Sequence, residues 1–253
     1  MVEESFSDGH SLMHRLDPRV KMIIACVFSI IVATADRFLP LTIAALLALF
    51  FISLAKLSFN KVCSRLLVVN GLILLLWLFL PFTMEGEPLW AFGPLIVTKE
   101  GIIYSALITI KSNSIILAFM ALVATMPVLT IGRTMGHLHI PEKMVHLFYF
   151  TYRYIHVIRR EYRRQMNAIK IRGFNPGTNM HTYRTYAYLI GMLLVKSHDR
   201  AERVRAAMIC RGFKGKFYDL KEFSFRSSDL IIMIFMLLAI IGIGFLQWTN
   251  LIY

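Results

Sequence analysis

Ala168-Ile-Lys-Ile-Arg172-Gly173-Phe174 and Ala207-Met-Ile-Cys-Arg211-Gly212-Phe213 are one phrase written twice, thirty-nine residues apart. Alanine, arginine, glycine and phenylalanine keep their places, while the three residues between them change. Both copies fall within Pro141–Gly215, an arginine-crowded stretch that lies between membrane-spanning runs. The plainer reading of each copy is a helix C-terminus. Arginine complements the negative end of the macrodipole, and glycine supplies the left-handed residue that stops the helix. The second reading is a pair of docking knobs. Arginine would offer a rigid fork to a partner carboxylate, and phenylalanine would fill an apolar pocket. The shared flanking residues, each set on a basic amphipathic helix, favour docking over capping alone.

Outward from this stretch the chain is apolar. Of its 253 residues 57% are hydrophobic, and the mean hydropathy is +0.61. Several long runs carry no charge, so the class is a polytopic α-helical membrane protein. The alternating ten-residue segments of a membrane β-barrel are absent. The net charge of +13 is concentrated. Ile131–Arg226 holds 19 Lys/Arg against 6 Asp/Glu, whereas the remainder holds 9 against 9. The positive-inside rule places that block in the cytoplasm, where lipid headgroups account for part of the charge. Nucleic acid is a poor partner for a block this hydrophobic. Cys26, Cys63 and Cys210 form no CxxC pair or disulfide framework. The N-terminus, with Glu3, Glu4 and Asp8, lacks the pattern of a cleaved signal peptide.

Taken in order, Asp17-Pro18 reads as a cap and first helical turn, and Arg19 and Lys21 mark a cytoplasmic entry. Met22–Ala35 and Leu39–Ala55 are short apolar runs, expected to form a tight hairpin around Asp36, Arg37 and Pro40. Leu66–Phe82 is a third span. The acidic Thr83–Glu100 stretch, with Glu85, Glu87, Trp90 and Pro94, suits an external interfacial loop. Gly101–Ile131 is a fourth run, which Thr125-Met-Pro127 should kink or end. Lys111 lies about ten residues in, roughly 15 Å along a helix. It is either a snorkelling or interfacial lysine, or a buried residue facing a partner. Leu230–Thr249 is the last span.

Two amphipathic helices fill the basic block. The first, opened by Pro141, carries a three-four seam through Val145, Phe148, Tyr152, Ile155, Arg159, Tyr162, Met166 and Ile169. The second, starting near Thr182, carries Ile190, Leu194, Ser197, Ala201, Val204 and Met208, with Ser197 and Ala201 small enough for close crossing. Tyr152, Ile155, Leu194, Ser197, Ala201 and Val204 are therefore the candidate packing residues, against each other or against the spans. The expected fold is all-α. Residues 1–131 would hold four transmembrane helices behind a cytoplasmic N-terminus, 132–227 a cytoplasmic coupling domain, and 228–253 the final span with the C-terminus outside.

The chain resembles the transmembrane T component of energy-coupling factor (ECF) transporters, most closely the cobalt/nickel (CbiQ-like) group. The resemblance is carried by Leu16-Asp17-Pro18-Arg19-Val20-Lys21, Thr125-Met-Pro127, Ile140-Pro141 leading to Tyr152-Arg153-Tyr154-Ile155, and Glu161 before the first Arg-Gly-Phe. Its most specific part is Ser197-His-Asp199-Arg200-Ala201-Glu202-Arg203-Val204, followed by the second Arg-Gly-Phe and Lys-Gly215. These landmarks cover most of the chain in order. The resemblance implies a subunit of an importer in the plasma membrane. Two cytosolic ABC ATPase subunits, or an ATPase homodimer, would carry ATP and magnesium, and a separate membrane subunit would bind substrate. It further implies that Arg172-Gly173 and Arg211-Gly212 end coupling helices seated on the ATPases, with Ala168, Phe174, Ala207 and Phe213 beside them. The family often reads Ala-Arg-Gly, where this chain has Ile171 and Cys210 before the arginines.

Independently, no Gly-x4-Gly-Lys-Ser/Thr phosphate loop occurs, so ATP hydrolysis is expected in partners. The histidines His10, His14, His137, His139 and His146 show no closed ligand set, so no metal site is expected. An alternative class is a conventional ABC permease forming the path itself, but the spans contain few polar residues to line a path, Asn70, Lys111 and Asn113 being the main ones. A membrane enzyme would need converging carboxylates, whereas Glu161, Asp199 and Glu202 sit at spacings that intrahelical pairing explains.

Overall fold

The computed structural model describes residues 11, 13, 16–84, 86–92, 95–138, 140–215 and 227–249. Among them are eight helices: α1 (Pro18–Thr34), α2 (Phe38–Ala55), α3 (Phe59–Thr83), α4 (Lys99–Leu122), α5 (Val128–His137), α6 (Glu142–Ile171), α7 (Met180–Cys210) and α8 (Ser227–Thr249). One short antiparallel hairpin, β1 (Pro88–Phe92) and β2 (Leu95–Thr98), lies within the stretch expected to be a loop. His10, His14, Glu85, Pro94 and His139 lie outside the described residues. The chain divides into two compact units, and the division falls within α5.

The apolar unit contains α1–α4, the hairpin and α8. Asp17 accepts a hydrogen bond from the Arg19 amide at 2.8 Å, and Pro18 fills the first turn of α1, as the sequence predicts. Helices α2, α3 and α4 are long and apolar enough to cross a membrane, whereas α1 has 17 residues and the apolar run of α8 is Ile232–Gln247. Between helices in lipid there is little hydrophobic drive, so close packing of small residues carries more of the association. The most extensive packing is α2 on α4. Both helices bury alanines, Ala44, Ala48 and Ala55 on α2 and Ala118 and Ala121 on α4. Helix α1 buries a stripe of Val20, Ile24, Phe28 and Val32, and Phe28 meets Phe51 of α2 edge to face at 6.2 Å. Helix α4 ends at Leu122, before Pro127, and α5 restarts at Val128.

Helix α3 leans mainly on α4. Trp77 Nε1 donates to Thr109 Oγ1 at 2.9 Å, and Asn113 Nδ2 donates to Asn70 Oδ1 at 3.1 Å. Where the end of α3 meets the start of α4, a methyl group on Gly101 would sit 2.6 Å from Pro81 Cα, inside contact distance. The glycine lets the two backbones meet, and Thr98 Oγ1 donates to the Pro81 carbonyl at 3.2 Å.

Lys111 has an intramolecular partner. Its Nζ lies 2.8 Å from Asp36 Oδ1, in the turn between α1 and α2, and donates to the Ala33 carbonyl at 3.3 Å. Gln247 Nε2 donates to the Thr34 carbonyl at 2.5 Å. The last carbonyls of α1 would otherwise lack partners. Side chains of α4 and α8 satisfy two of them, at one end of the helix cluster. Lys111 is 20% exposed and Asp36 81%, so the lysine is the more enclosed partner.

Two predictions follow from this packing. Lys111→Met should destabilise the purified chain more than Asp36→Asn, because the lysine serves both the carboxylate and a backbone carbonyl. A double-mutant cycle on thermal melting should give a coupling of about 0.5–2 kcal/mol. Gly101→Ala should force α3 away from α4 and weaken a Trp77–Thr109 contact monitored by disulfide cross-linking at those positions.

Candidate functional site

The basic unit comprises described residues 135–138 and 140–215. Its two long helices, of 30 and 31 residues, are each roughly 45 Å long. Asn179 caps α7 through its side chain, accepting from the Thr182 amide at 2.9 Å. Helices α6 and α7 pack together. Contacts run along the pair: the Phe174 ring stands on Tyr186 at 5.9 Å, Lys196 meets Glu161, and Phe213 meets His146 at 6.5 Å. The start of one helix therefore lies beside the end of the other.

Both Arg-Gly-Phe phrases close their helices with the same backbone geometry. Arg172 and Arg211 are the C-caps of α6 and α7. Gly173 and Gly212 follow with φ of +83° and +78°. The Gly173 amide donates to the Lys170 carbonyl at 3.0 Å, and the Phe174 amide reaches the Ile169 carbonyl at 3.4 Å. The second copy repeats this, Gly212 to Ile209 at 2.9 Å and Phe213 to Met208 at 3.0 Å. That is the Schellman pattern, in which two carbonyls of the last turn find donors across a left-handed glycine. A methyl group at either glycine would meet no neighbour within 4 Å, so the requirement for glycine is conformational.

The side chains of the two phrases point to different fates. Arg172 and Arg211 are exposed, as are Ala168 and Ala207. Phe174 is only 8% exposed, packed between His181 and Tyr186 of its own unit. Phe213 is half-buried and lines a groove between α6 and α7. The arginines are thus presented outward, while each phenylalanine turns inward and fastens the chain behind its cap.

The groove is walled on the α6 side by Phe150, Tyr154, Val157 and Ile158, and on the α7 side by Leu193, Ser197, Ala201, Val204, Met208 and Ile209. Of the candidate packing residues, Ser197, Ala201 and Val204 line it. Tyr152, Ile155 and Leu194 do not: Tyr152 meets His156 of its own helix edge to face at 6.2 Å, and Ile155 and Leu194 are exposed. Glu161 bridges the helices, its Oε1 2.6 Å from Lys196 Nζ and 3.3 Å from Gln165 Nε2. The lysine hydrogen bond, then the Gln165 bond, hold the Glu161 carboxyl below its usual range. The sequence marked Glu161 through its charged neighbours on one helix, but its cross-helix partner thirty-five residues away had no local signal. Among the described residues no three His, Cys, Asp or Glu side chains gather as a metal-holding group.

This geometry gives two expectations. Gly173→Ala and Gly212→Ala should each cost about 1 kcal/mol, the penalty of a left-handed L-residue, and should speed amide exchange at the cap about fivefold. Asn in place of either glycine should recover part of that. Because the Glu161 carboxyl is depressed in the folded state, its contribution is present above the usual carboxylate range and lost as pH falls through the lowered value. Cross-linking between cysteines placed at Tyr154 and Ala201 should therefore weaken on acidification, and Glu161→Gln should remove that pH dependence.

A family described as cobalt transport protein, CbiQ, matches residues 9–221. The chain is similar to the energy-coupling factor transporter transmembrane protein EcfT of Lactococcus lactis subsp. cremoris, 27% identical over 92% of this chain and 94% of the relative. It is likewise similar to EcfT of Leuconostoc gelidum subsp. gasicomitatum, 28% identical over 83% of this chain and 82% of the relative. EcfT of Bacillus subtilis is 26% identical over 85% of each. The chain belongs to the CbiQ family and is a T component of the energy-coupling factor transporter type.

Proposed function

We propose that this chain couples two cytosolic ABC ATPases to a substrate-binding membrane subunit, through Arg172 and Arg211. The observation that carries this reading is the repeated cap. Two exposed arginines stand behind identical left-handed glycines at the ends of two packed helices. A pair of like knobs suits a two-fold pair of like partners. Each guanidinium offers a planar bidentate fork to an ATPase carboxylate, and the rigid cap behind it limits the entropy lost on docking. Helices of this length transmit a displacement at the caps along their whole extent. ATP and magnesium belong to the ATPases in this scheme, and the chain itself is a non-catalytic subunit. The family description, cobalt transport protein, favours cobalt as the transported substrate, and the resemblance to the cobalt/nickel group extends the proposal to nickel.

In the same reading the protein crosses the plasma membrane five times, through α1–α4 and α8. The N-terminus and the basic block are cytoplasmic and the C-terminus is outside. The charge distribution supports this orientation, since the excess of basic residues lies in one block.

Arg172→Glu with Arg211→Glu should abolish co-purification of the ATPases in mild detergent while leaving membrane insertion unchanged. Each single Arg→Ala should weaken association by tenfold or more, about 1.4 kcal/mol or above. Tagged purification of the unaltered chain should bring down two ATPase subunits and a small apolar membrane protein. Undiminished ATPase recovery with the double variant would return both arginines to being helix caps.

A further inference from the structure

The groove between α6 and α7 has a chemical polarity of its own. It encloses about 510 Å³, and its walls are mainly apolar. Its charges are one-sided. Among the described residues Glu161 is its only acidic lining residue, and it is already paired with Lys196 at 2.6 Å. Arg200 and Arg205, both from α7, also line the groove. An occupant that matches these features has an apolar body and an anionic group facing α7.

Two chemistries meet this description, an acidic amphipathic helix and an anionic lipid. Connectivity chooses between them: the apolar helices α4 and α8 flank the unit in sequence and tether it to a bilayer, where anionic lipid is always at hand. The block containing the groove is also strongly basic, which draws anionic lipid toward it. We infer that the α6–α7 groove binds an anionic phospholipid, its acyl chain lying between Val157, Ile158, Ala201 and Val204 and its phosphate held by Arg200 and Arg205. This requires only that the unit lie at a bilayer surface, and it stands whether or not Arg172 and Arg211 engage ATPases.

The test is native mass spectrometry on the full chain, purified alone in mild detergent and offered phosphatidylglycerol or phosphatidylcholine with matched acyl chains. The unaltered chain should retain phosphatidylglycerol about tenfold better, as expected for two basic contacts. Arg200→Gln with Arg205→Gln should lose that preference, and Arg200→Lys with Arg205→Lys should keep most of it. Ala201→Trp, which fills the groove, should lose the bound lipid although both arginines remain. Circular dichroism and a single elution peak identify variants that remain folded. Equal retention of the two lipids, or a preference unmoved by both the Gln pair and Ala201→Trp, would overturn the proposal. So would a photo-cross-linker at Val204 that traps a protein segment and no lipid in native membranes.

Discussion

A residue with positive φ behind each arginine is the constraint on which the basic unit depends. An α-helix leaves its last carbonyls without partners, and a basic side chain alone does not satisfy them. The left-handed Gly173 and Gly212 turn the chain so that two backbone amides fold back onto those carbonyls. The same turn leaves Arg172 and Arg211 exposed at the helix ends and sends Phe174 and Phe213 back into their own unit. Capping and docking are consequently two uses of one geometry. The cap fixes where the arginine stands, and rigidity at that point is what a docking group requires.

The apolar unit solves a related problem with side chains. The short α1 ends at a turn, and its terminal carbonyls lack partners within the helix. Lys111 and Gln247 supply them from neighbouring helices, and Asp36 compensates the lysine charge. One cluster thereby ties α1, α4 and α8 together. Elsewhere cohesion comes from small residues and from a few polar pairs between α3 and α4. A close approach at Gly101 lets the end of α3 meet the start of α4.

The α6–α7 pairing shows why periodicity alone stops short of a contact list. Helix α6 is aromatic or apolar on more than one side, with Phe148, Phe150, Tyr152 and Tyr154 in close succession. A three-four count through it selects Tyr152 and Ile155 together with Val145 and Met166, which are both buried, and a second count, through Phe150, Tyr154, Val157 and Ile158, is the set that lines the groove. On α7 the small residues Ser197 and Ala201 leave less choice, and there the expected seam and the groove share Ser197, Ala201, Val204 and Met208.

Local chemistry was sufficient to determine the helical membrane class, the cap at Asp17-Pro18, the break before Pro127, both Arg-Gly-Phe stops and the family resemblance. Each of these depends on residues within a few positions of one another, or on charge and hydropathy summed along the chain. The tertiary structure alone decided the partner of Lys111, the pairing of Glu161 with Lys196, the inward turn of the two phenylalanines, and the α6 face that meets α7. Those depend on residues tens of positions apart. Packing selects among faces that the sequence leaves nearly equivalent, and a buried charge or an unpaired carbonyl takes whichever partner the folded chain brings within reach.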